Sequence, residues 1–285
     1  MSLIADARRP SLPQPWATVP LTVVMPTYNE AGALAGTCER VLGLPLPGLH
    51  LKIVDDNSPD GTGELAEELA ARANSGGALD GTPRMSVLHR PGKDGLGRAY
   101  AAGMAQAVAE GARYVLQMDS DGSHPTAMIE QMLGVALSTG CGLVVGSRYV
   151  SGGSLGEDWP VRRRMLSAWA NWYAATILGL PLRDVTSGFT LWRADVLQQS
   201  VLGQTASAGY SFQVEAKTLA LRAGHAAIEV PIRFEQRQAG ASKMNLAVQA
   251  ESALLPWQLR FRGRSRELAD YEKGSDPRIL AIQPL

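Results

Sequence analysis

Asp119 and Asp121, in the stretch YVLQMDSDGSHP (114–125), are the residues whose type and spacing speak first of chemistry. Tyr114 to Met118 have strand character and run straight into the two carboxylates, with Gly122 and Pro125 as a stop. On an extended backbone, residues i and i+2 face the same side, roughly 6.5 Å apart. Two carboxylates so placed converge on one hard divalent cation, the partner a diphosphate needs. Other readings compete: Asp-Ser-Asp-Gly is also an ordinary turn rich in side-chain-to-backbone hydrogen bonds, and a charged strand end needs no ligand. A calcium loop fails, because Glu130 stands twelfth from Asp119 but the sixth residue is His124 rather than Gly.

The elements that must position this pair alternate in type. Strand-like runs occur at 21–25 (LTVVM), 51–56 (LKIVDD), 84–90 (RMSVLHR), 114–118 and 141–147 (CGLVVGS). Between them, 31–42, 62–73, 95–110 and 126–138 have helical patterning. Such alternation predicts right-handed βαβ units and an α/β fold with a mostly parallel sheet. Ligands then bind beyond the carboxyl ends of the strands. Those ends read PTYNE, DDNSPDG, PGKDGLG, DSDGSH and GSRY, so the polar, charged and glycine residues collect at one edge. Past residue 150 the spacing predicts an Arg-headed helix at 161–179, a strand-turn segment at 184–193, a helix at 212–224 and a strand at 225–234.

The 285 residues suit one large domain with extensions: a Pro-rich disordered lead at 1–20, the domain at 21–260, and a polar basic tail at 261–285. The 27 basic and 27 acidic residues balance, so no global field argues for nucleic acid. Cys38 and Cys141 lie in apolar runs and read as buried free thiols of a reducing compartment. No segment has signal-peptide character, and no run approaches the about 18 apolar residues of a membrane span. The nearest, 165–182, is interrupted by Asn171 and Pro181, and fits an interfacial helix. A dinucleotide fingerprint is absent, since GLGRAY ends in Tyr100 where the third glycine belongs; P-loop and nucleophile-elbow motifs are absent too.

The ordered set VVMPTYNE, IVDDNSPDGT, GLGRAY, MDSDGSHP, GSRYV, RRMLS, DVTSGF, GYSFQVE and RQAGASKM resembles glycosyltransferase family 2, and within it the polyprenol-phosphate (dolichol-phosphate) mannose synthases. The resemblance spans about 21–245. It implies a single GT-A domain, GDP-mannose as donor, Mg2+ or Mn2+ as cofactor, and a membrane polyprenyl phosphate as acceptor. It also implies roles by position. Pro26, Tyr28, Glu30, Val54, Asp56 and Ser120 are expected to line the nucleotide-sugar pocket, Tyr28 as a stacking face and Asp56 as an acceptor for base or ribose. Asp119 and Asp121 are expected to hold the metal, with Ser123 standing where relatives often carry Gln. Arg148, Arg237 and Lys243 are matched to the donor diphosphate, and Arg163, Ser167 and Gln213 to the acceptor phosphate. Asp121, Arg148 and Arg163 are the expected catalytic set; for each arginine a solvated or ion-paired role is the alternative, more so for Arg162 and Arg164 than for Arg148. His124 reads as structural, and Glu215 either as a base the chemistry does not need or as a helix N-terminal acid.

The expected reaction is inverting transfer of mannose by a peripheral cytoplasmic enzyme at the inner face of the cell membrane. It would reach its lipid through the Arg163 helix, the basic tail or a membrane-anchored partner protein. Two rivals remain: a family 2 enzyme using a UDP-sugar, such as a polyprenyl-phosphate glucosyltransferase, and a non-catalytic nucleotide-sugar-binding protein. A nucleotidyltransferase is disfavoured, because its Gly- and Lys-rich N-terminal loop is missing.

Overall fold

A computed structural model describes residues 12–14, 16–75, 83–156, 159–207, 209, 211–235 and 253–261. After a 3-10 turn at Trp16–Thr18 the elements are β1 (Leu21–Thr27), α1 (Ala31–Leu42), β2 (Leu49–Asp55), α2 (Thr62–Ser75), β3 (Met85–His89), α3 (Leu96–Ala109), β4 (Tyr114–Gln117), α4 (Met128–Thr139) and β5 (Leu143–Ser147). They continue with β6 (Ser154–Leu155), α5 (Val161–Leu178), β7 (Thr190–Arg193), α6 (Ala194–Val196), α7 (Phe212–Arg222), β8 (Ala227–Pro231) and β9 (Arg233–Phe234). A last helix, α8, covers 253–261.

Seven strands form one sheet in the order β3-β2-β1-β4-β7-β5-β8, and β6 pairs with β9 in a small second sheet. The neighbours β1–β2, β1–β4, β2–β3 and β5–β8 are parallel, while β7 runs antiparallel to both β4 and β5. Six strands therefore point one way, and β7 enters the sheet from the edge where the others end. That reversal brings the loop before β7 to the carboxyl edge.

Both faces of the sheet are covered, which is why β1 and β2 read as continuous apolar runs rather than alternating ones. Leu21, Val23 and Met25 of β1 and Leu51 and Ile53 of β2 pack with α1, α2 and α4. Val24 and Val54 face the opposite layer with Ala99, Tyr100 and Met104 of α3 and Phe212 and Ala216 of α7. Gly103 of α3 permits that layer to close, because a Cβ there would lie 2.6 Å from Val24 and from Val54.

Local corrections follow from backbone geometry. β4 stops at Gln117, and Ser120–Gly122 bend, with Gly122 at φ 78, so a turn rather than a strand pleat places the two aspartates. The strand expected at 225–234 breaks at Ile232 into β8 and β9. Part of the expected N-terminal lead is packed: Ala17 is buried and its carbonyl accepts from the Gly48 amide at 3.3 Å. Arg237, Lys243 and most of the basic tail lie outside the described residues.

Candidate functional site

The carboxyl ends of β1 and β2 turn through Asn29 and Asn57, both in the left-handed region at φ 58, where Asn is tolerated better than most side chains. These two loops are tied together: the Asn29 amide donates to Ser58 Oγ (3.1 Å) and the Glu30 amide to Thr62 Oγ1 (3.0 Å). The DD pair divides its labour. Asp55 accepts from Ser58 Oγ (2.5 Å), the Ser58 amide (3.2 Å) and Thr27 Oγ1 (3.3 Å), so it builds the turn. Asp56 faces the β3–α3 loop and pairs with Arg90. Burial pushes the Asp56 carboxyl up from its ordinary value, and the Arg90 charge opposes that rise. Tyr28 is half-buried at the rim with Lys93 Nζ 4.0 Å above its ring centroid. Pro26 presents its carbonyl to Ser120 Oγ at 3.3 Å. The Val54 side chain does not join this pocket; it is fully buried under α3.

Asp119 and Asp121 follow β4 at the same edge. Tyr100 of α3, the residue that breaks the dinucleotide fingerprint, donates its hydroxyl to Asp119 Oδ1 at 2.7 Å. The Asp119 amide donates to His124 Nδ1 at 3.1 Å, and the His124 ring stacks on Phe189 at 5.0 Å, a structural role. Asp121 is 4% exposed. Its Oδ1 accepts from both the Ser123 amide (3.0 Å) and Ser123 Oγ (2.6 Å), so Ser123 orients the carboxylate from a fully buried position. Gly188, in the loop before β7, faces Asp119: a Cβ there would sit 3.7 Å from both carboxylate oxygens and 3.5 Å from Gln213 Nε2. The missing side chain leaves Asp119 approachable on that side.

This donor set suits Mg2+ or Mn2+. Both side chains are hard carboxylates, and among the described residues no third His, Cys, Asp or Glu joins them in a metal-holding cluster. Such cations use one or two carboxylates and complete their shell with substrate phosphate oxygens and water, not with a closed protein cage.

The arginines separate. Arg148, just past β5, is clamped by Asp184, with Nε to Oδ2 at 2.7 Å and Nη2 to Oδ1 at 2.6 Å, and it also donates to Thr186 Oγ1 at 2.8 Å. Burial works against its charge, and Asp184 more than restores it, so the pKa is raised. The ion-paired alternative thus describes Arg148, whose fork orders the loop that carries Gly188. Arg164 donates to the carbonyls of Trp159 (3.0 Å) and Gly156 (2.7 Å). Arg163 is exposed on the first turn of α5, its guanidinium 4.1 Å from the Trp159 ring centroid. Ser167, one turn on, accepts from Tyr149 Oη at 2.7 Å.

Gln213 sits at the start of α7 and accepts from Gln117 Nε2, while Gln117 Oε1 accepts from Trp192 Nε1 at 3.2 Å. Glu215 is occupied with backbone amides, those of Ala206 (3.1 Å) and Ser207 (2.8 Å), which makes it a loop anchor and not a base. Sequence reasoning gave no role to Tyr100, Asp184, Gly188 or Lys217. Three of these stand inside motifs that carried the resemblance, GLGRAY and DVTSGF, but only the fold shows them touching the site. Lys217 is fully buried and donates to the Ser187 carbonyl at 2.7 Å, directly beneath the same loop.

A polyprenol monophosphomannose synthase of Mycolicibacterium smegmatis is 39% identical over 242 residues, covering 85% of this chain and 87% of that protein. An undecaprenyl-phosphate mannosyltransferase of Micrococcus luteus is 38% identical over 231 residues, covering 81% and 90%. Among solved structures, mannosyl-3-phosphoglycerate synthase from Rubrobacter xylanophilus superposes with a TM-score of 0.60 at 18% identity, over 87% of this chain and 75% of that one. A mannosyltransferase from Pyrobaculum calidifontis, solved with GDP-Man and Mn2+, gives 0.56 at 15% identity over 91% and 68%. These likenesses identify the fold as GT-A. Residues 22–200, which hold every carboxyl-edge loop described above except the start of α7, match glycosyl transferase family 2, and the chain belongs to that family of glycosyltransferases.

Proposed function

We propose that the chain transfers mannose from GDP-mannose to the phosphate of a polyprenyl lipid, inverting the anomeric carbon to give polyprenyl β-D-mannosyl phosphate. The observation that carries this reading is the Asp119–Asp121 pair held at the sheet's carboxyl edge by Tyr100 and Ser123. The extensive identity to two mannosyltransferases that act on polyprenyl phosphates supports the choice of sugar and acceptor.

The guanosine would lie across the ends of β1 and β2, with Pro26, Tyr28 and Glu30 on one side, and Asp56 and the Val54 backbone on the other. Ser120 fixes the Asp119–Asp121 turn against β1. Asp119 and Asp121 would hold a divalent ion, which would supply positive charge to the leaving diphosphate of the donor. The acceptor is a phosphate monoester whose second pKa lies near about 6, so it arrives nucleophilic and needs no strong base. That agrees with Glu215 being engaged by backbone amides. What the site must supply is positive charge where two phosphate-bearing substrates meet. Arg163, one turn from Ser167, is an exposed cation assigned to the acceptor together with Ser167 and Gln213. Arg148 acts by ordering the loop over Asp119. Arg237 and Lys243 are assigned to the donor from the motif alone. The enzyme would work as a peripheral protein at the inner face of the cell membrane; among the described residues no helix is long and apolar enough to cross one.

The test is transfer of label from radiolabelled GDP-mannose to a short-chain polyprenyl phosphate with Mg2+. Label is expected in an organic-soluble, mild-acid-labile lipid, lost with EDTA and lost in a folded Asp121→Ala variant. Metal-dependent turnover surviving that substitution would overturn the metal assignment. Transfer from UDP-glucose but not from GDP-mannose would replace the sugar.

A further inference from the structure

β4 reads Tyr114, Val115, Leu116 and then Gln117, a fully buried amide at the end of an otherwise hydrophobic strand. Gln117 stands two positions after Val115 and so shares its face of the sheet, in the layer that holds Trp192 and Phe212. A buried amide costs stability unless its polar atoms find partners. Here they find them along a line. Trp192 of β7 donates its indole Nε1 to Gln117 Oε1 at 3.2 Å, and Gln117 Nε2 donates to Gln213 Oε1. An indole N–H can only donate, so it fixes which end of the Gln117 amide faces which neighbour. Gln117 in turn fixes Gln213, whose carbonyl oxygen is turned into the line and whose Nε2 is turned out.

The outer end of the line is open. Gln213 is 4% exposed, and no group among the described residues accepts from its Nε2. A Cβ placed on Gly188 would lie 3.5 Å from that nitrogen and 3.7 Å from both carboxylate oxygens of Asp119. The gap in front of Gly188 is therefore bordered by an amide donor on one side and a carboxylate on the other. The backbone around it is tied as well: Lys217 Nζ donates to the Ser187 carbonyl at 2.7 Å and to the Gln213 carbonyl at 3.4 Å. A polar line that served only the core would end on an acceptor, since buried donors are almost always paired. This one ends on unpaired donors beside Asp119.

We propose that Trp192 and Gln117 are positioning residues for the transfer: they fix the Gln213 amide so that its N–H donors meet a substrate oxygen in the gap beside Asp119. The ligand chemistry is an oxygen lone pair, offered by a hydroxyl of the sugar or by an oxygen of the acceptor phosphate. This rests on the proposed function in one respect, that a substrate bearing sugar and phosphate enters at Asp119. Gln213 touches the substrate, whereas Gln117 and Trp192 act through it. A defect in either should therefore be hidden once the Gln213 amide is gone.

The experiment has one arm without substrate and one with it. In the free full chain, isotope-labelled at its glutamine side chains, the Gln213 amide signal is assigned by its loss in Gln213→Leu. Trp192→Phe keeps a ring and removes the N–H. Gln117→Met keeps the length and removes the amide, and stands in if the first variant does not fold. Either is expected to shift or broaden the Gln213 signal; a signal that stays in place overturns the line. In the transfer assay each variant should lower kcat/KM by about two- to tenfold, the scale of one neutral hydrogen bond. Combined with Gln213→Leu, each should cost nothing beyond Gln213→Leu alone. Additive losses would mean that Trp192 and Gln117 support only the core, and would overturn the proposal. The source of the oxygen is read from calorimetry with Mn2+ and from the acceptor KM. Weaker binding of GDP-mannose by Gln213→Leu at unchanged GDP affinity assigns it to the sugar. A raised KM for polyprenyl phosphate at unchanged GDP-mannose affinity assigns it to the acceptor phosphate. If neither moves, the substrate contact is overturned. A wild type that transfers no mannose, while its Gln213 signal still shifts with Trp192→Phe, would overturn the proposed function and leave the line standing.

Discussion

Asp119 is positioned by a residue it shares no element with. The Tyr100 hydroxyl fixes one carboxylate oxygen, and its ring lies parallel to Phe212 of α7 at 6.3 Å, so α3 and α7 together set the carboxylate's orientation. A neighbour that orients a metal ligand governs affinity for the ion more than it governs folding, and its loss typically costs 10–100-fold in metal binding or activity. Tyr100→Phe keeps the ring and removes only the donor. We expect the Mn2+ concentration for half-maximal transfer to rise by roughly tenfold, with a stability loss of about 1 kcal/mol. A metal titration unchanged from wild type would show that Asp119 does not depend on this hydroxyl, and would weaken its place in the metal site. Arg148 shows the opposite case. Its residue type suggested a phosphate ligand, but a fork clamped on both oxygens of a fully buried Asp184 is a loop device, and neither residue's type alone reveals which partner the chain will bring.

Among elements, the loop from Asp184 to Gly188 is held from three sides: by Arg148 after β5, by Asn171 on α5, and by Lys217 on α7. Lys217 is the unusual member. Burial drives its pKa down from 10.5 to about 7, with Asp184 pulling the other way. A lysine so shifted binds fewer protons folded than unfolded between those two values. Stability should therefore rise with pH across that window, and the destabilising contribution should be fully present below about pH 7. One proton corresponds to a slope of about 1.4 kcal/mol per pH unit. Lys217→Met removes that slope, so denaturant midpoints of variant and wild type should converge or cross as pH rises from 7 to 10.5. A pH-independent difference would mean the lysine stays charged in the fold. Much of this scale was legible in sequence: the βαβ alternation and the polar strand ends both follow from periodicity and composition. The direction of β7 was not, because an apolar run carries no sign of parallel or antiparallel pairing. Without that reversal, nothing in DVTSGF indicates that its glycine faces Asp119.

At the scale of the whole molecule, the sheet gathers six strand ends and the entry to β7 at one edge, so the loops after β1 and β2 and the two aspartates share one edge. The consequence is linkage. Two carboxylates that no third His, Cys, Asp or Glu joins among the described residues make an incomplete cation site, and a diphosphate without a cation meets Asp119 and Asp121 as repelling charge. Each ligand should therefore bind weakly alone and tightly with the other. A ligand present at a hundredfold its dissociation constant stabilises the fold by about 2.7 kcal/mol, which for a domain of this size raises the midpoint by roughly 5–10 °C. In thermal unfolding we expect small shifts with Mn2+ or GDP separately, and a joint shift well beyond their sum. Asp121→Ala should unfold cooperatively near the wild-type midpoint and lose only the excess. Its carboxylate makes local bonds to Ser123 within its own turn, so removing it disturbs the turn before the core. If the shifts of the wild type merely add, metal and diphosphate do not meet at this edge, and the assignment of Asp119 and Asp121 fails with them.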